Sequence, residues 1–168
     1  MQIEDRTYYA EEQKMEANWI LIFIVFTSIS TLVVVIAVLY NSNAPWFQIG
    51  MVAGAILFSD LIIVMLFKTM KLELALTKKG LHYKMFPLGS KVNLVDWKEV
   101  TAICIRKSPA SGYGKRKKYK YGDIYAMNLR TGVELTLTSG MKKFFSLKDP
   151  VEFKKGFRKL ELNIQIIE

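Results

Sequence analysis

Five cations within six residues, Lys115, Arg116, Lys117, Lys118 and Lys120, bracketed by Tyr113 and Tyr121, are the part of this 168-residue sequence best suited to recognition chemistry. Ammonium and guanidinium groups at that density can meet phosphates or acidic headgroups, and such clusters near a cytoplasmic membrane exit read as anionic-lipid binding. The competing reading is a flexible, solvated loop, because Ser, Gly, Tyr and Lys dominate 107–121 and leave no apolar periodicity. Nucleic acid is a weaker partner, since basic charge alone supplies only non-specific affinity and a membrane tether would restrict access. Gly112-Tyr113-Gly114-Lys115-Arg116 is not a Walker phosphate loop, which needs four residues between its glycines and a Ser or Thr after the lysine.

A second candidate is Asp60, the one ionisable residue inside a long apolar run. Intramembrane carboxylates face a bundle interior, pair with polar groups or line a pathway. Asp60 lies seven residues from Phe67, level in an antiparallel hairpin with residues about seven in from Trp19, where Thr27 and Ser28 stand. A hydrogen bond there would be worth roughly 1 kcal/mol or less. A proton or ion relay would need further acidic or histidine partners in the membrane, and the spans contain none. Gly50 and Gly54 form a Gly-x-x-x-Gly face that permits close helix approach, with Ala37 the small residue at matching depth; the face fits its own hairpin or another chain equally well.

The remaining reactive side chains point to structure. His82 has no second histidine to complete a metal site, and Cys104 has no signalled base that would make it a nucleophile. Trp97 reads as a core anchor at a strand end. No catalytic set, metal site or cofactor motif is indicated.

These groups are positioned by two kinds of element. Residues 19–40 carry no charge across 22 positions, and 46–67 carry only Asp60 across another 22. Each run matches the roughly 20 residues needed to cross the hydrocarbon layer. The first has 15 Ile, Leu, Phe and Val residues and the second 12. At about −0.3 to −0.6 kcal/mol each, the latter sum outweighs the roughly +2.5 to +3.5 kcal/mol of one central aspartate. Trp19, Tyr40 and Trp46 stand at the span ends, where amphipathic rings prefer the interface. Residues 41–45 suffice only for a tight turn, so the helices run antiparallel.

Residues 1–18 lack the basic start of a signal peptide, so the first span is expected to be permanent. The turn has no Lys or Arg, and 22 of the 24 basic residues lie at or beyond Lys68, which predicts both termini in the cytoplasm. The lone Cys104 agrees with a reducing compartment. From 68 to 168, 22 basic residues face nine acidic ones, a formal excess of +13. The acidic 1–18 segment is expected to form a short interfacial helix, its carboxylates complementing the basic domain.

Beyond Lys71 the pattern changes to short β-rich runs broken by turn residues, with strands expected at 72–77, 81–86, 91–96, 100–106, 123–129, 133–138 and 142–146. Lys78-Lys79-Gly80 reads as a hairpin loop whose glycine takes positive φ. Asp149-Pro150 supplies an N-cap and first-turn proline for one helix bearing Val151, Phe153, Phe157 and Leu160.

Seven strands and a closing helix, with Leu76-Thr77-Lys78-Lys79-Gly80-Leu81, Trp97-Lys98-Glu99-Val100, Tyr121-Gly122-Asp123-Ile124, Gly132-Val133-Glu134-Leu135 and Ser146-Leu147-Lys148-Asp149-Pro150, carry a resemblance. Over roughly 70–160 the chain resembles small bacterial membrane proteins that place a PH-like (pleckstrin-homology-like) domain after a transmembrane hairpin. The resemblance implies an α+β membrane protein of the inner membrane, whose β-barrel is capped by its C-terminal helix. It implies no biochemical activity. The residues add a membrane partner and three functional expectations: a non-enzymatic scaffold meeting a protein partner or a second copy, an anionic-lipid sensor using 115–120, or a small transport component using Asp60.

Overall fold

A computed structural model describes residues 5–15, 18–87, 89, 91–118, 122–162, 164 and 166–167. The chain divides into a helical unit, 16–69, and a β unit built from the N-terminal strand together with everything from Met70 onward.

In the helical unit, α1 (Asn18–Asn41) and α2 (Trp46–Thr69) are 24 residues each. At about 1.5 Å per residue each is roughly 36 Å long, enough to span the apolar layer. Both are strongly apolar, and rings such as Phe26 and Phe58 stand about two-thirds exposed, so the pair is long and apolar enough to cross a membrane. The turn is closed by Asn43 in the left-handed region, φ 55°, which asparagine tolerates better than most side chains. The facing seam recurs every three or four residues: Ile24, Ser28, Leu32, Val35 and Leu39 on α1, with Ile49, Ala53, Ile56, Asp60 and Val64 on α2.

The β unit begins with β1 (Thr7–Lys14), continues through β2 (Lys71–Thr77), β3 (Gly80–Phe86) and β4 (Asn93–Asp96), and turns through a 3-10 segment, Trp97–Glu99. There follow β5 (Val100–Lys107), β6 (Gly114–Lys118), β7 (Gly122–Ala126), β8 (Thr131–Leu137), β9 (Lys142–Ser146), α3 (Pro150–Arg158) and the short β10 (Ile166–Ile167). The strands form two sheets and not one closed barrel, in orders β1-β2-β3-β4 and β10-β5-β8-β9-β7-β6. All seven expected strands are present. Leu72, Leu74 and Leu76 alternate inward on β2, as do Leu81, Tyr83 and Met85 on β3, and they share one core with Ile103, Val133, Leu135 and Phe145 of the other sheet.

The N-terminal segment departs from expectation. It is a strand, pairing antiparallel with β2 from Thr7↔Thr77 to Lys14↔Lys71. Its Tyr9 and Gln13 point inward and are buried, a period of two that the intervening acids disguise. Those acids do meet the basic unit, since Glu12 pairs with Lys71 at 3.2 Å and Glu11 accepts the Lys148 amide at 3.0 Å.

A second departure is the open architecture: in place of the expected barrel there are two sheets, in one of which β7 skips past β8 and lies parallel to β9. Gly80 likewise has another role than the one expected: its backbone is not left-handed, but a Cβ there would lie 2.2 Å from the Val95 carbonyl, so glycine lets β3 approach β4. The hairpin is closed instead by the Thr77 hydroxyl, which accepts from the Lys79 and Gly80 amides at 3.3 Å each.

The closing helix starts as its sequence dictates. The Asp149 carboxylate accepts from the Val151 and Glu152 amides at 2.9 and 3.0 Å, with Pro150 in the first turn. Phe153, Phe157 and Leu160 enter the core, where Phe153 meets Tyr9 edge to face at 5.5 Å and Phe157 meets Trp97 at 5.4 Å. Trp97 is the expected anchor, donating its indole N–H to the Thr77 carbonyl at 2.9 Å.

Candidate functional site

Lys115 to Lys118 of the basic run lie on a β-strand, β6, where the sequence reads as a loop. β6 pairs antiparallel with β7, Lys115 opposite Tyr125, Arg116 opposite Ile124 and Lys117 opposite Asp123, and it ends its sheet. Gly114 makes this possible, with φ +96° and so little room that a Cβ there would lie 3.3 Å from the Met70 methyl. Backbone pairing supplies the order that the side chains do not advertise.

Lys115, Arg116, Lys117 and Lys118 are all exposed, and Tyr113 is half-buried; Lys120 and Tyr121 lie outside the described residues. Alternation sends Lys115 and Lys117 to the face of Tyr125, and Arg116 and Lys118 to the other. The Lys115 ammonium stands 5.6 Å from the Tyr125 ring centre, and Lys143 of β9 stands 5.7 Å from that of Tyr83. These two rings are 4.9 Å apart, with their hydroxyls 3.4 Å from one another, and burial, then the Tyr83 hydroxyl, pushes the Tyr125 hydroxyl far above its ordinary pKa. On the opposite face the Arg116 guanidinium reaches Ser111 Oγ at 3.5 Å and passes so close to Gly112 that a Cβ there would lie 2.4 Å from it. The strand thus carries cations on both faces at the end of its sheet.

Within the helical unit, the structure joins Ser28 and Asp60: the serine hydroxyl donates to the carboxylate across the seam. Thr27 takes no part in that contact, its hydroxyl donating to the Phe23 and Ile24 carbonyls of its own helix at 2.9 and 3.0 Å. Gly50 and Gly54 have nothing within 4 Å of a notional Cβ, and Ala37 is exposed, so these small residues face away from the hairpin seam.

Two buried polar clusters have no counterpart in the sequence reading. Gln13 donates to the Ser146 carbonyl at 2.6 Å and to Glu11 at 2.5 Å, and accepts from Ser146 Oγ at 2.8 Å and Asn128 at 3.1 Å, locking β1 to β9. Glu134, on the central strand β8, is 3 % exposed, with Lys142 Nζ 2.9 Å and Arg106 Nη1 3.4 Å from its oxygens. Only the period-two pattern Tyr9-x-Glu11-x-Gln13 signals the first; the second depends on which strands become neighbours. Cys104 lies opposite Glu134, and Ile103 faces the core, as the alternation predicts.

His82 faces Thr77, with Nε2 3.1 Å from the hydroxyl, and burial, opposed by Asp5 and reinforced by Lys79, lowers its pKa. The folded state therefore binds this proton less readily than the unfolded chain. Stability is expected to fall as pH drops below about 6.5 through the folded pKa, and His82→Asn to remove that part of the slope, read by denaturant titrations at several pH values. An unchanged slope would sink the assignment.

Among the described residues no group of three or more His, Cys, Asp and Glu side chains is arranged to hold a metal ion. A shallow depression beside β1 and β2, of about 300 Å³, is lined by Glu11, Glu12 and Glu73, but Lys71 engages both Glu12 and Glu73. Comparison with protein-family models and with curated proteins yields no match for this chain.

Proposed function

We propose that this protein is a non-enzymatic, membrane-anchored accessory or scaffold protein. Its transmembrane hairpin holds a basic PH-like domain at the inner face of the cytoplasmic membrane for contact with protein or lipid. The observation that carries the reading is the pairing of β1 with β2. β1 precedes α1 in the chain and β2 follows α2, so strands flanking the two apolar helices belong to one sheet and occupy one compartment. Two spans joined by a short turn satisfy that requirement, and a single span does not. The formal excess of +13 beyond residue 67 supports the inner face, where anionic lipids attract each nearby cation by about 1 kcal/mol. The two sheets with their C-terminal helix are compatible with a PH-like domain.

The Ser28–Asp60 hydrogen bond favours structural pairing of the helices over ion transport. Exposure of Lys115, Arg116, Lys117 and Lys118 keeps anionic lipid as the second reading.

Purification from native membranes in mild detergent is expected to yield the chain in a complex, either with copies of itself or with another protein, visible as a mass above the monomer. A solitary monomer under all mild conditions would count decisively against the scaffold reading, and recovery as a water-soluble species without detergent would remove the membrane anchor altogether.

A further inference from the structure

We infer that the open edge of β6 receives an acidic, extended segment of a partner protein as an added strand. This rests on the reading of the β unit as a contact module and names the chemistry of its partner.

Among the described residues β6 pairs with β7 alone and ends its sheet, so along residues 114–117 alternate backbone amides and carbonyls point away from β7, where a new strand would meet them. Four successive exposed cations occupy that edge with no acid among them, and β7 behind them contributes only Asp123. Their distribution decides between partners. A lipid surface is flat and would engage one face, Lys115 with Lys117 or Arg116 with Lys118. An added strand runs along the edge and sends its own side chains to both faces, where cross-strand neighbours stand about 4.5–5.5 Å apart and same-face residues recur about every 7 Å. Successive carboxylates on such a strand would meet all four cations. Lysines also guard strand edges against unwanted pairing. That role disfavours apolar or basic strands and leaves an acidic one as the complementary occupant.

The test uses the full-length chain in phosphatidylcholine nanodiscs and a fluorescent eight-residue peptide of glutamate and threonine, blocked at both ends. Saturable binding by anisotropy is expected, weakened at least tenfold by Lys115→Gln/Lys117→Gln and separately by Arg116→Gln/Lys118→Gln, because both faces contribute. A peptide of the same sequence, N-methylated on alternate amides facing the edge in either register, is expected to lose binding at least tenfold. Equal binding of the N-methylated peptides would overturn strand addition and leave charge alone. So would loss of affinity in only one of the two glutamine pairs. Absence of binding to the well-dispersed wild-type protein would reduce the lysines to edge guards. Abolition of peptide binding when phosphatidylserine replaces half the phosphatidylcholine would assign the edge to the membrane instead. Any of these failures alongside a purified native complex would reject the acidic-strand partner while leaving the scaffold reading intact.

Discussion

Phe153→Ala is expected to destabilise the β unit by about 3–5 kcal/mol, the range for truncating a fully buried phenylalanine. Phe153 has no exposed surface. It stands between the Tyr9 ring at 5.5 Å and the Phe157 ring at 6.5 Å, and so joins the N-terminal strand to the closing helix. The cavity cannot collapse cheaply, because α3 is already as close to β1 as glycine allows: a Cβ at Gly156 would lie 2.8 Å from that of Tyr9 and 3.0 Å from the Tyr8 carbonyl. Denaturant unfolding in detergent, followed by Trp97 fluorescence with Trp19 and Trp46 replaced by phenylalanine, reads the loss. Val151→Ala, on the exposed side of the same helix, should change stability by no more than about 0.5 kcal/mol. A loss below about 1 kcal/mol for Phe153→Ala would mean that α3 does not close the core.

Removing both cations from Glu134 should cost nearly as much. In Arg106→Met/Lys142→Met the carboxylate stays buried with neither ion pair, beside Phe144, its cross-strand neighbour on β9. Stripping the partners from a buried charge typically costs about 3–5 kcal/mol. Arg106 and Lys142 are each about one-third exposed, so the anion is the member that depends on the pairing. Adding Glu134→Leu to the double variant should recover most of the loss, since an apolar side chain of similar volume suits the cluster of Ile124, Ala126 and Phe144 on that face. Failure of the leucine to rescue would show that the cations stabilise the sheet by some other contact.

The resemblance to a hairpin followed by a PH-like domain implies one β-barrel capped by its helix, whereas two sheets that do not close, with a parallel β7–β9 pair, are found. The strands were legible because each buries alternate residues, as Leu72, Leu74 and Leu76 do. β6 was not, because an edge strand with both faces in solvent needs no apolar alternation, and its four cations look like loop chemistry. β1 was hidden by its acids, which lie on a strand whose inward positions hold one tyrosine and one glutamine. Asp60 found its serine because helical rise fixes depth in a hairpin, but depth does not fix rotation, and Thr27 faces elsewhere.

By itself the sequence determined the two apolar helices, the tight turn between them, seven core strands and the capped closing helix. Each is set by local composition and periodicity acting over a few residues. Only the tertiary structure decided that the N-terminal segment pairs with β2, the strand that follows the helical hairpin, that Glu134 is enclosed by two cations, and that Gly114–Lys118 is the last strand of its sheet. Those outcomes depend on which distant strands exchange backbone hydrogen bonds, and backbone groups are the same at every position, so side-chain pattern does not encode their partners.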